Sequence, residues 1–343
     1  MLVSIIIPIR NEEKFIGKCL DSFLPQIKGR NDFEILCVDG MSMDKTTETI
    51  QKYAILDNRI RLIQNPEKIT PTAMNRAIDQ AQGDFIVVVG CHAEYAANYI
   101  DSCLEVIQRT GAEHVGGYMT TVSGANTASG NAIAVATSSP FGVGNSMFRL
   151  TGPEQEADTV PFGMYRRDVF EKIGMYDERL VRNQDIELNS RLRKAGGKII
   201  ISPEIKLTYF NRATYSGLWQ QAFNNGLWNP YTVWLVGGGL RLRHFIPMFF
   251  VLSLIVLGLL SIGYWPFAIL LGLDISMYSM AAIYFAVKAS KNKNASIIRV
   301  LISFFILHIA YGAGSLWGVL TIPIKFPNRK AKKPGTALAD RKI

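Results

Sequence analysis

Three short segments, Pro8-Ile9-Arg10-Asn11-Glu12-Glu13, Asp39-Gly40-Met41-Ser42-Met43-Asp44 and Gly90-Cys91-His92-Ala93-Glu94, gather acids, amides and glycines in the first hundred residues. Each follows a short β-branched or apolar run that reads as a strand. Taken singly, such a segment is a turn or a helix cap. Three of them after successive strands point instead to one rim that holds a polar ligand, because open α/β sheets bind ligands beyond the carboxyl ends of their strands.

The elements that must position this rim are legible from periodicity. Residues 3–7, 33–38, 60–64 and 85–89 read as strands. Residues 13–24, 42–53 and 71–82 read as helices; the first carries Phe15, Ile16, Cys19, Leu20 and Phe23 at helical spacing. The second opens on Thr and Asp, which suit an N-cap, and the third has Pro near its first turn. Strands alternating with helices predict βαβ units, hence an α/β, Rossmann-like, mostly parallel sheet covered on both faces.

Charge separates this part from the rest. The 343 residues carry a formal net charge of +9, but residues 241–343 hold only two acids, Asp274 and Asp340, and are net +11. The first 240 residues are net −2. Basic excess confined to the most apolar part indicates a membrane and excludes nucleic acid as the partner. Residues 245–265, 268–287 and 297–320 are each long and apolar enough to cross a hydrocarbon core of about 30 Å. They define a membrane module over 241–322, with 213–240 an aromatic-rich interfacial segment before it and a basic tail over 323–343. Arg241, Arg243, Lys288, Lys291, Lys293 and Arg299 mark their loops as cytoplasmic. Three spans would then put the basic tail outside, against its charge, unless the third segment is re-entrant or interfacial or a span boundary falls elsewhere. The cysteines Cys19, Cys37, Cys91 and Cys103 have no metal or disulfide spacing and read as buried hydrophobes in a reducing compartment. With no secretory signal at its start, the 1–240 domain is expected in the cytoplasm.

The ordered motifs resemble a known family. Ser4-Ile-Ile-Ile-Pro-Ile-Arg-Asn-Glu-Glu13 and Glu34-Ile-Leu-Cys-Val-Asp-Gly-Met-Ser-Met-Asp-Lys45 are similar to the opening of family 2 glycosyltransferases with the nucleotide-diphospho-sugar-binding (GT-A) fold. Asp158-Thr-Val-Pro-Phe-Gly-Met-Tyr-Arg-Arg167, Val181-Arg-Asn-Gln-Asp-Ile-Glu-Leu-Asn189 and His308-Ile-Ala-Tyr-Gly-Ala-Gly314 extend the likeness to bacterial membrane enzymes of succinoglycan-type exopolysaccharide assembly.

The resemblance implies an inverting hexosyltransferase. It would use a nucleotide-diphospho-sugar, by implication a UDP-sugar, and a lipid-linked saccharide acceptor at the inner face of the bacterial cell membrane, beside other polysaccharide-assembly proteins. Transfer to polyprenyl phosphate and a non-catalytic membrane scaffold are the alternatives. It assigns Pro8, Arg10, Asn11, Glu12, Asp39, Asp44 and Gly90 to the nucleotide sugar. Lys68, Asn75 and Arg76 either lie beside the nucleotide or form a solvated helix start.

The fourth strand should end in the family's metal motif, yet Gly90 stands where a carboxylate is usual. His92, and after it Glu94, are left as candidate ligands for Mg²⁺ or Mn²⁺. Otherwise Arg149, Arg166, Arg167 or Arg212 would have to offset the leaving diphosphate. Asp185 occupies the position of the catalytic base, with Glu187 as rival or partner, unless both merely cap a helix over 188–194. Phe162, Gly163, Arg166 and Gln184 fall on the acceptor and leaving-group side, and residues 141–145 form a closing segment. Gln220, Gln221 and Trp228 lie where processive relatives carry a Gln-x-x-Arg-Trp signature; the arginine is missing, which implies one sugar per encounter. Asp274 and His308 either contact a polyprenyl-diphosphate head group or sit hydrated near the interface.

Overall fold

The computed structural model describes residues 1–144, 146–291 and 295–326. Lys293, Asn145 and all of the basic tail beyond Phe326 lie outside the described residues. The described residues form two compact units, one of residues 1–120 and 151–209, the other of residues 121–150 and the described residues from 210 to 326.

The first unit is built on a sheet with the order β3-β2-β1-β4-β8-β6-β9-β5, with β7 paired to β9. These are β1 (Val3–Ile9), β2 (Phe33–Asp39), β3 (Ile60–Gln64), β4 (Phe85–Val88), β5 (Ala93–Tyr95), β6 (His114–Ser123), β7 (Gln155–Glu156), β8 (Met164–Arg166) and β9 (Ile199–Asn211). The first four strands are parallel, as expected. Beyond β4 the β4–β8, β8–β6 and β9–β5 pairs are antiparallel, so the sheet is mixed rather than mostly parallel. Short strands such as Ala93-Glu94-Tyr95 leave no periodic trace from which their direction could be read.

β1 and β2 are unbroken apolar runs because both of their faces are covered. Helix α1 (Ile16–Ile27) buries Ile16, Cys19, Leu20, Phe23 and Ile27 along one stripe. Helices α2 (Thr46–Leu56), α3 (Thr70–Gln80) and α4 (Tyr99–Thr110) complete the covering layers. Pro71 opens α3 and a left-handed Gly111 closes α4. α1 and α2 begin three or four residues later than their periodicity suggests. The polar residues ahead of them are held in the loops described below, and Asp44 reaches the Thr46 N–H from outside the helix.

At the amino edge of the sheet, buried Glu34 accepts from Ser4 Oγ at 2.6 Å, Gln82 N at 2.6 Å and Arg61 Nη1 at 3.2 Å. Ser4 Oγ in turn accepts from Gly83 N. This one carboxylate ties β1 and β2 to the turn that leads into β4.

The second unit holds α5 (Ala128–Ala136), α6 (Pro140–Val143), α9 (Tyr215–Val236), α10 (Ile246–Gly263), α11 (Pro266–Lys291) and α12 (Ile297–Lys325); α7 (Asp168–Ile173) and α8 (Gln184–Lys194) belong to the first. α10, α11 and α12 are each long and apolar enough to cross a membrane. A boundary at residue 240 is therefore too simple. Residues 121–150 join the membrane module because α5 is apolar and packs Ala132, Val135 and Ala136 against Ala286, Val300 and Phe304.

Removing the Glu34 acceptor should unfold the first unit more readily without touching the rim. Glu34→Ala is expected to lower stability by about 2–4 kcal/mol, because buried donors and Arg61 lose their partner. The thermal midpoint in detergent reports this loss.

Candidate functional site

The ends of β1 and β2 are laced together. Asp39 is buried at the end of β2, and its carboxylate accepts from Ser42 N at 3.1 Å and from Ser42 Oγ at 2.5 Å. Ser42 Oγ accepts from Asn11 N at 2.8 Å, and Asn11 Oδ1 accepts from Met43 N at 2.9 Å. Glu12 N donates to Thr46 Oγ1 and Glu13 N to Asp44 Oδ2. Asn11 and Asp44 are thus committed to the loops themselves. Pro8 and Arg10 close β1, and the Arg10 side chain lies exposed with its stem across Gly40.

Among the described residues, the non-glycine residues with left-handed backbone are Asn11, Met41, Lys68, Phe162 and Asn183. All five fall in segments that the sequence marks for chemistry. Such conformations are costly unless the surroundings impose them, and they concentrate where side chains must be aimed.

Asn75 departs from expectation. Its amide takes the Tyr176 N–H, donates to Tyr176 O and to Glu178, and is buried. It clamps α3 to the turn after α7 and has no group left to face a nucleotide. Arg76 pairs with Glu67 at 2.5 Å, whereas Lys68 stands exposed beyond β3.

After β4 the chain turns at Gly90. A Cβ there would lie 2.7 Å from Phe162 Cε1. The Phe162 ring therefore fills the space in which a carboxylate-bearing residue would stand, and the Phe162 carbonyl is held by Tyr99 Oη. His92 Nε2 meets Glu12 Oε1 at 3.0 Å, with its ring against Phe15. Glu94 points outward from β5. No group of three or more His, Cys, Asp or Glu able to hold a metal occurs among the described residues. One imidazole already bonded to one carboxylate, beside a glycine and a buried thiol, does not make a divalent-cation cage, so no chemical step is routed through one.

On the other side lies α8. Asp185 is in its first turn, behind the left-handed Asn183. Burial raises its carboxyl above the ordinary carboxylate range, against the backbone N–H of Ile186 and its own. Glu187 is different. It forms a two-pronged pair with Arg191 at 2.7 and 2.8 Å, and Arg191 also holds the carbonyls of Ile173, Gly174 and Met175. Glu187 fastens α8 and is not a rival base. Gln184 Oε1 is buried with no hydrogen-bond partner among the described residues.

Gly163 accepts from Val88 N at the rim, but Arg166 does not reach it. β8 runs antiparallel to β4, so Arg166 pairs with Phe85 at the amino end of that strand and is engaged by Asp168 at 3.0 Å. Arg167 donates to Ala81 O at the same edge. Neither lies where a diphosphate at the carboxyl rim would leave.

A network that sequence patterns do not reveal backs α8. Asn189 Oδ1 accepts from Tyr165 Oη at 2.9 Å and from His114 Nδ1 at 3.0 Å, and Asn189 Nδ2 donates to Thr159 at 2.7 Å. Burial pushes His114 down to about 3, which keeps it neutral. Its partners are far off in the chain, and no local signal marks them.

A parallel sheet half with laced strand ends, an antiparallel half and a desolvated carboxylate opposite them define a nucleotide-sugar transferase fold. The chain belongs to glycosyl transferase family 2, whose profile matches residues 4–174. It is 30% identical over 76% of its length, and 84% of the relative's, to the dolichyl N-acetyl-α-D-glucosaminyl phosphate 3-β-D-2,3-diacetamido-2,3-dideoxy-β-D-glucuronosyltransferase of Methanococcus voltae. It is 32% identical over 65% of its length, and 67% of the relative's, to the succinoglycan biosynthesis protein ExoA of Rhizobium meliloti. In fold it is similar to a mannosyltransferase from Pyrobaculum calidifontis solved with GDP-Man and Mn²⁺, with a TM-score of 0.56, 15% identity and coverage of 92% and 87% of the two chains.

If Phe162 fills the space beside Gly90, Gly90→Ala should cost about 1–3 kcal/mol through overpacking. That cost should vanish in a Phe162→Ala background. Thermal midpoints of the two single variants and the double variant give the comparison.

Proposed function

We propose that the protein is an inverting glycosyltransferase. It would move a hexose from a nucleotide-diphospho-sugar, a UDP-sugar in the first instance, to a lipid-linked saccharide at the inner face of a cell membrane during surface-glycan assembly. The desolvated Asp185 carboxylate carries this reading. As the acceptor oxygen bonds to the anomeric carbon on the face opposite the nucleotide, Asp185 takes the hydroxyl proton and the C–O bond to the diphosphate breaks. The nucleoside diphosphate leaves with that electron pair.

The rest of the rim has matching tasks. Asp39 accepts from the base, while Pro8 and Glu12 border it. Arg10 and Lys68, exposed at the ends of β1 and β3, supply positive charge to the diphosphate. Gln184 Oε1 meets a donor hydrogen of the acceptor sugar. Two relatives are named for glycan work of this kind, one on a dolichyl-linked sugar phosphate and one in succinoglycan biosynthesis, which supports a lipid-linked acceptor. A divalent ion, present in the mannosyltransferase complex, would have at most His92 and Glu12 from this chain.

The reading is tested by incubating membranes that contain the protein with radiolabelled nucleotide sugars, with Mn²⁺ or with EDTA, and separating lipid-linked products. Label on a lipid-linked oligosaccharide supports it. Label on polyprenyl phosphate alone replaces the acceptor, and UDP binding with no transfer from any donor leaves a scaffold.

Asp185→Asn should lower transfer roughly 10²–10⁴-fold while UDP binding persists. A carboxyl whose folded pKa is raised destabilises the fold above that pKa, where it is ionised, and the cost disappears as pH falls through it. The variant should therefore melt no lower than wild type near neutral pH, whereas Glu187→Gln should melt lower. In the wild type, kcat/KM should fall as pH drops through the raised Asp185 pKa.

A further inference from the structure

Helix α12 has the length and hydropathy of a membrane span, but its neighbours give it another orientation. Its inner face is made of small residues, Gly312, Gly314, Ser315 and Gly318, all buried. α9 is pressed against them backbone to backbone. A side chain on Gly314 would collide with the Phe223 carbonyl, and one on Gly318 would come within 2.6 Å of the Leu227 carbonyl. Farther along, Tyr231 Oη meets Thr321 Oγ1 at 2.6 Å, and Lys325 Nζ lies over the rings of Tyr231 and Trp228 at 4.9 and 5.4 Å. α9 thus accompanies the second half of α12 to its end. It is not a lipid-soluble helix, since its first half carries Gln220, Gln221, Asn224 and Asn225.

Depth gives the second argument. The span α10 is approached through Arg241, Arg243 and His244. Asn229 Nδ2 bridges the His244 carbonyl at 3.1 Å and Tyr311 Oη at 2.8 Å, and Gly312 abuts the Pro247 carbonyl. The basic approach to α10 is therefore level with the middle of α12, about 22 Å of helix from Ile297 at about 1.5 Å per residue. An upright α12 would either draw those arginines toward the bilayer centre or lift its first half into water. That first half exposes Ile298, Ile302 and Phe305. A helix lying flat meets neither difficulty. Exposed Ile298, Ile302 and Phe305 in its first half and Leu320 and Ile324 in its last turns lie on one face at helical spacing, with α10 meeting that helix at Gly312 between them. Val300 and Phe304 pack on α5 and on Ala286 of α11, and Gly314 and Gly318 on α9.

We infer that α12 lies in the plane of the membrane interface, with its isoleucine face in lipid. The described chain then crosses the bilayer twice, through α10 and α11, and reaches Phe326 on the side from which it enters α10. Arg299 and Lys325 stand at the two ends of the flat helix, where anionic lipid head groups would meet them. The basic sequence beyond Phe326 would start on the side where such charge belongs. Hydropathy misreads α12 because its inner face, being packed on protein, is small rather than polar.

The test uses the full chain reconstituted in phosphatidylethanolamine and phosphatidylglycerol vesicles, with nitroxides placed one at a time at Ile298, Phe305, Ile309 and Leu320. Power saturation should give one shallow depth for all four. A profile deepest at Ile309 and shallow at both ends would overturn the inference. In intact cells, a membrane-impermeant maleimide should label Ile262→Cys, in the last turn of α10, but Ile324→Cys only after permeabilisation; the native cysteines are buried. Labelling of Ile324→Cys from outside would equally sink it.

Discussion

The bond network from Asp39 through Ser42 to Asn11 is the constraint on which the rim depends. Two parallel strands deliver their carboxyl ends side by side, but nothing in a strand pair fixes the loops beyond. Here one hydroxyl does so. It donates to the Asp39 carboxylate and accepts from Asn11 N, which holds Asn11 and, through it, Met43 in place. The left-handed turns at Asn11 and Met41 persist because this closed set of bonds over-determines them. A rim so braced is formed before any ligand arrives, so little ordering is left for binding to supply.

Opposite the rim, two acids two residues apart in α8 have opposite fates. Glu187 is neutralised by Arg191 and anchored to three carbonyls, which makes it structural. Asp185, one turn before Asn189, has no such cation and is desolvated. The anchor and the Asn189 network hold the helix still, and that rigidity lets an unfavourably placed carboxylate remain where it is.

Much of this was legible in the sequence, for definite reasons. The parallel strands are continuous apolar runs and the strand-end motifs are local, so β1 to β4 and the loops beyond them declare themselves, whereas Asp185 is singled out only by resemblance to a family. Asn75, Arg166 and Glu187 did not, because their roles depend on partners or directions that no local pattern carries. Asn75 meets Tyr176 a hundred residues later. Arg166 is removed from the rim by the direction of β8, set by pairing with β4. Gly90 read as a lost carboxylate, whereas its meaning lies in the Phe162 ring from a distant loop.

The Gly90 turn also shapes the packing of the rim. A glycine at this turn gives up a cation ligand and admits an aromatic ring, and the ring stands in a cluster with Tyr95 and Tyr209. Arg10 and Lys68 are exposed just beyond the ends of β1 and β3. Gly90 and Phe162 are one packing unit: while the ring is in place, it occupies the space that any side chain at residue 90 would need.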